Sequence, residues 1–139
     1  MSVTRRTFVE LLVVAGGGAL LACGRALDGS VRVTNNEALL TFREFPALAT
    51  VGGSVVVAAG TRDVIVVRSG DTAATALSAV CTHAGCLVSY APDSAEPIAC
   101  GCHGAAFALD GSVLRSPATR PLAVFAATVT ATGITVALQ

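Results

Sequence analysis

Short apolar runs separated by turn residues set the rhythm of this chain. The runs at 31–34, 38–42, 54–59, 64–68, 74–80, 87–90, 97–99, 106–109, 112–114, 122–130 and 133–138 are rich in Val, Thr and Ala and have strand length. Asp110-Gly111 between apolar residues is a strong hairpin-turn signal, and Ala131-Thr132-Gly133 joins the last two runs as a second hairpin. No stretch after residue 23 has the 3.6-residue period of an amphipathic helix. Many short strands at this spacing predict an all-β fold, a sandwich or a barrel.

The chemistry sits in two short segments. Cys81-Thr82-His83-Ala84-Gly85-Cys86 and Cys100-Gly101-Cys102-His103-Gly104 hold four of the five cysteines and both histidines. Their common pattern is Cys-x-His followed by Cys-x-x-His, with a further Cys in each half. Two thiolates and two imidazoles suit a transition metal, and a mixed Cys/His set serves a Rieske-type 2Fe–2S centre. A zinc site remains open on residue type, although zinc pairs normally read Cys-x2–4-Cys and His-x3–5-His. Two structural disulfides in an exported protein are also open, but they leave the paired histidines without a role.

The two motifs resemble the Rieske iron–sulfur family, in its disulfide-containing branch, over roughly residues 80–121. The resemblance implies a Rieske fold: an antiparallel β sandwich or barrel base with a cluster-binding subdomain inserted at about 80–117. It implies that Cys81 and Cys100 hold one iron of a 2Fe–2S cluster and that His83 and His103 hold the other. It also implies a disulfide between Cys86 and Cys102, and a role for 116–121 as the proline-bearing loop beside the cluster. The residue types agree with the chemistry. Two imidazoles in place of two thiolates make the centre less negative, which raises the potential to roughly −150 to +300 mV against about −400 mV for all-thiolate plant-type clusters. Gly85, Gly101 and Gly104 fit tight loops in which backbone amides approach the sulfurs.

This chain departs from the family at three positions. High-potential members place a Ser and then a Tyr after the second motif, whose hydroxyls hydrogen-bond the cluster sulfur and a ligand thiolate. Here Ala105 and Phe107 stand there, so the resemblance implies a potential below that of quinol-oxidising members. Ala84 stands where those members carry a shielding Leu, which counts against a tight quinol pocket. Tyr90 reads as a strand residue, Asp110 as a turn residue, and Arg115 and Arg120 as solvated loop charges.

The N-terminus carries the second signal. Thr4-Arg5-Arg6-Thr7-Phe8-Val9 resembles a twin-arginine export motif, and the fifteen-residue apolar stretch at 8–22 is short for a membrane span but right for a signal peptide. The twin-arginine route carries folded cargo, as a cluster inserted in the cytoplasm requires. Leu20-Leu21-Ala22-Cys23 resembles a lipobox, in which Cys23 becomes the lipidated first residue. An ordinary signal peptide cleaved nearby and an uncleaved anchor are the alternatives. The expected location is the periplasm, or a membrane anchor facing the periplasm.

Composition narrows the function classes. Removal of residues 1–22 leaves about 117 of the 139 residues, enough for one modest domain. That part has a formal charge of about −1, the chain has no lysine, and no charge run points to nucleic acid. A mean hydropathy of +0.73 raises the question of a membrane protein, but no apolar run after Cys23 reaches the ~18 residues of a spanning helix. Both histidines are used in the motifs, so none is left for the facial triad of an oxygenase. One-electron transfer is the expected function, with no independent substrate chemistry and with a redox protein as partner. The chain is read either as a stand-alone carrier or as the Rieske subunit of a cytochrome bc complex or an arsenite-oxidase-like molybdenum enzyme. A non-redox, disulfide-stapled module is the remaining class.

Overall fold

The computed structural model describes residues 26–139; the twin-arginine motif, the apolar stretch and Cys23 lie outside the described residues. Twelve strands form two sheets: β1 Gly29–Val31, β2 Val33–Thr34, β3 Glu37–Thr41, β4 Ser54–Ala59, β5 Arg62–Arg68, β6 Ala74–Ser78, β7 Val88–Tyr90, β8 Ile98–Cys100, β9 Ala106–Phe107, β10 Val113–Arg115, β11 Val124–Val129 and β12 Gly133–Ala137. No α-helix occurs among the described residues; a short 3-10 turn spans Pro46–Ala49. The all-β expectation therefore holds.

The larger sheet has the order β1-β4-β5-β6-β11-β12-β3-β2. Its two edges are the two halves of one segment. Residues 29–31 pair with β4, and after Arg32 residues 33–34 pair with β3. The sheet thus curls until its edges meet, which removes most of the open edge that a flat sheet would expose. The β1–β4 ladder is parallel, the one exception to the antiparallel base expected from the sequence. Asp28 fixes the start of this seam: its amide donates to the Val56 carbonyl at 2.7 Å, and its carboxylate accepts from the Val56 amide at 2.7 Å.

Strands β4 to β6 are covered on both faces. Inside the barrel Val55, Val57, Val64, Val66 and Ala76 pack against Leu40, Phe125, Ile134 and Val136. On the outer face Val56, Ile65, Val67 and Leu77 pack against Val88, Ile98, Phe107 and Leu122. Double burial is why β4 and β5 read as continuous apolar runs and not as alternating ones. Each such side chain contributes roughly 1.5–3 kcal/mol when fully buried. The outer patch thereby holds the small sheet, β10-β9-β8-β7, against the barrel. Arg68 ends β5 and is the one buried charged side chain among the described residues. Its guanidinium donates to the carbonyls of Leu48, Gly70 and Asp71 and lies 5.2 Å from the Phe42 ring centroid, so its polar atoms are paired.

Gly53, Gly111 and Gly133 are demanded by space, Gly53 most tightly. A Cβ on Gly53 would lie 1.7 Å from the Ala47 carbonyl oxygen. Gly53→Ala is expected to lower stability by about 1–3 kcal/mol through overpacking. Urea denaturation checks this, and an unchanged midpoint would contradict the close approach.

Candidate metal centre

The two cysteine loops are built alike. The first leaves β6 and is closed at its base by the isolated bridge between Val80 and Leu87. The second joins β8 to β9 and is closed by the pairing of Ala99 with Ala106. In the first loop the Cys81 amide donates to the Cys86 carbonyl at 2.8 Å, and the Gly85 amide donates to the Cys81 carbonyl at 3.0 Å. In the second the Cys100 amide donates to the Ala105 carbonyl at 2.8 Å, and the Gly104 amide donates to the Cys100 carbonyl at 3.1 Å. Each loop turns back through a glycine four residues after its cysteine, with φ of 71° at Gly85 and 79° at Gly104. A side chain at such a φ costs roughly 1–2 kcal/mol, which is why glycine stands at both turns.

This geometry sorts the donors by depth. Cys81 and Cys100, the two free cysteines among the described residues, are each only 2% exposed, and their thiols hydrogen-bond each other. His83 and His103 are exposed, with ring centroids 4.9 Å apart and planes at 89°. The loops therefore bring all four sequence-predicted donors into an inner thiol pair and an outer imidazole pair. Burial pushes the Cys100 thiol up, and the neighbouring Cys81 adds to that, while the backbone amides of Cys102 and His103 act in the opposite sense by donating to the sulfur. A metal cation supplies the charge that such a buried pair needs in order to ionise.

Cys86 and Cys102 form a disulfide that ties the two loops together across 16 residues. Its two sulfurs and the Cys100 sulfur lie within 4.8 Å of one another. Two sulfurs of that trio are spent in the disulfide, so only Cys100 among them can give a thiolate to a metal. A third loop, 116–121, closes the site from the side. Thr82 donates through its hydroxyl to the Arg120 carbonyl at 2.8 Å, and Ala118 is buried in the same cluster as Cys81 and Cys100. Ser116-Pro117 is a cis peptide. Ala105 and Phe107 are fully buried in that cluster and carry no hydroxyl. Sequence reasoning missed Thr82, and the Thr between Cys81 and His83 was its only local signal. It also missed the paired backbone geometry of the loops, of which the glycine at the fifth position of each was the trace.

Buried thiols behind exposed imidazoles, held by two matching loops over a β base, define a metal-binding all-β redox domain. The chain belongs to the Rieske [2Fe-2S] domain family, whose model matches residues 44–126, more than half of its length. The residues present fit that family's cofactor, a 2Fe–2S cluster, through which the domain transfers single electrons. The chain is 36% identical over 118 residues to cytochrome b6-f complex iron-sulfur subunit 2 of Synechocystis, a match covering 83% of this chain and 60% of that one. It is 49% identical over 59 residues to the cytochrome b6-f complex iron-sulfur subunit of Chlorobaculum tepidum, covering 42% of this chain and 32% of that one. Among solved structures, the cyanobacterial plasma membrane Rieske protein of Synechocystis PCC 6803 superposes with a TM-score of 0.55 at 32% identity, over 69% of this chain and 93% of that one. The ferredoxin of carbazole 1,9a-dioxygenase from Nocardioides aromaticivorans gives a TM-score of 0.59 at 26% identity, over 73% and 95%.

Proposed function

We propose that Cys81 and Cys100 bind one iron of the cluster and His83 and His103 the other. The protein around them is exported by the twin-arginine route, anchored by lipid at Cys23 and active as a one-electron carrier on the periplasmic side of the membrane. Residues 1–22 are then the signal peptide and 23–139 the Rieske domain, with about 80–117 as its cluster-binding subdomain. The sorting of donors by depth carries the ligand reading. Buried thiols keep water from the sulfur side, and exposed imidazoles turn their second ring nitrogen to solvent or to a partner. When bound, the cluster takes up and releases one electron at a time.

Two properties follow for the carrier. Ala105 and Phe107 give no hydroxyl to the sulfurs, so the potential lies below that of hydroxyl-bearing relatives. Ala105→Ser combined with Phe107→Tyr is expected to raise the midpoint; a titration without an upward shift removes the argument. No charged residue occurs at 80–91 or 97–109, so the surface around the histidines is neutral apart from nearby Arg120. Electron transfer to the partner is expected to change little with ionic strength, unlike that of charge-steered pairs. A steep fall in rate with salt would contradict a neutral docking tip.

A second reading is favoured by the names of the relatives, which are cytochrome b6-f subunits: the chain is the Rieske subunit of a cytochrome complex. An arsenite-oxidase-like molybdenum enzyme is the other complex of this class. Fractionation of detergent-solubilised membranes separates the readings. The carrier migrates as a single haem-free chain, and co-migration with a haem or molybdenum subunit assigns it to a complex.

A further inference from the structure

We infer that the membrane tether leaves the barrel on a course away from the cluster, so that the histidine tip faces water. Its electron partner is then a water-exposed redox protein or domain, not a lipid-dissolved carrier. The inference rests on the anchor at Cys23. It starts from strand direction. β1 runs parallel to β4, with Gly29 opposite Val57 and Val31 opposite Ala59. The chain before Asp28 therefore heads toward the start of β4, where Ser54 pairs with Val67. At that end Arg68 pairs with Ala74, the first residue of β6. β6 then runs the other way, passes Val64 at Ser78, and delivers Cys81 beyond the opposite end.

The exit point is fixed and the tether is short. Two 2.7 Å hydrogen bonds clamp Asp28 to Val56. Only residues 24–27 separate Cys23 from Asp28, a reach of at most roughly 18 Å. To bring the tip to the bilayer the tether would have to reverse at once and run back along the barrel. Two of the exposed large apolar side chains, Leu27 at 43% and Val51 at 49%, sit on the tether side, next to Asp28 and Gly52. The Gly52 amide donates to the Arg68 carbonyl, which places Val51 at the end away from the cysteine loops. Val80 at 37% and Val124 at 58% are exposed toward the cluster end, so the inference stands on the course of the chain and the short tether.

The test uses the full-length lipidated holoprotein in phospholipid vesicles, labelled at one exposed position at each end. Thr50→Cys reports the tether end and Thr119→Cys the cluster end, with cluster absorbance checking that each variant is loaded. Energy transfer to an acceptor on lipid headgroups is expected to be several-fold stronger from position 50 than from position 119. Equal transfer, or stronger transfer from 119, overturns the inference. A second measurement needs no substitution: a water-soluble Ni(II) chelate is expected to speed relaxation of the reduced cluster's EPR signal, and a Ni(II)-chelating lipid is not. Equal effects overturn the orientation while the anchor stands. Protein that fails to float with the vesicles, with no lipid on Cys23 by mass spectrometry, removes the anchor and the orientation with it.

Discussion

Cys81→Ser and Cys100→Ser are each expected to yield a protein without visible colour and without iron. Each thiol is buried at the base of its loop and hydrogen-bonded to the other, so neither has a substitute donor at that depth. The nearest other sulfurs belong to the Cys86–Cys102 disulfide and cannot give a thiolate. Serine keeps the size but gives iron a hard oxygen in place of a soft sulfur. Alanine at His83 or His103 is expected to have the same outcome, since the two imidazoles are the only ones in the chain. Iron analysis and the visible spectrum of freshly purified protein check this. Full iron occupancy after loss of any one of the four would contradict the ligand set. Circular dichroism separates ligand loss from misfolding, because the barrel core lies on the other face of β4 to β6 from the loops.

Removing the disulfide carries the second large effect. The bridge closes a loop of 16 residues, for which the chain-entropy estimate is about 3 kcal/mol of stability. Cys86→Ser with Cys102→Ser is expected to shift the denaturant midpoint by that order, in the holoprotein and in the metal-free protein alike. The loss falls where it matters most. The bridge is the one covalent link between the two donor loops, and its sulfurs lie within 4.8 Å of the Cys100 sulfur. The double variant is therefore expected to lose its cluster faster under air than the parent, measured by decay of visible absorbance. An unchanged midpoint and an unchanged decay would mean that the loops are held by their hydrogen bonds and by the 116–121 loop alone.

The sequence made the strands legible where one apolar run makes one strand. β4 lies on the residues expected of it, and the expected bounds of β3, β5 and β12 differ by a residue or two. What stayed hidden was tertiary. Residues 31–34 read as one strand, and only the closed barrel reveals a segment from 29 to 34 that pairs with β4 before Arg32 and with β3 after it. The Asn35-Asn36 turn between β2 and β3, with φ of 51° and 61°, carries a left-handed hairpin signal that was legible and unused. The Asp110-Gly111 hairpin is real, but its first strand, Ala106–Phe107, is shorter than the expected 106–109, and its second, Val113–Arg115, is shifted by one residue. The Asp110 carboxylate accepts from both the hydroxyl and the amide of Ser112, which holds that carboxyl below its usual range and draws Ser112 into the turn. The donor residues of the site were legible because chemistry restricts which residue types can stand there. Their sorting by depth was not, because it depends on two backbone amides and two glycine turns that any sequence reading sees only as spacing.

The most direct measurement is a redox titration of the purified holoprotein followed by EPR. The expected result is a silent oxidised protein and, on reduction by one electron per chain, a signal whose average g lies well below the free-electron value, as unequal Cys and His ligation of the two irons requires. Its midpoint is predicted to lie below that of relatives whose cluster receives hydroxyl hydrogen bonds. A colourless protein that holds zinc or no metal, and gives no signal on reduction, would contradict electron transfer and leave only a disulfide-stapled β domain.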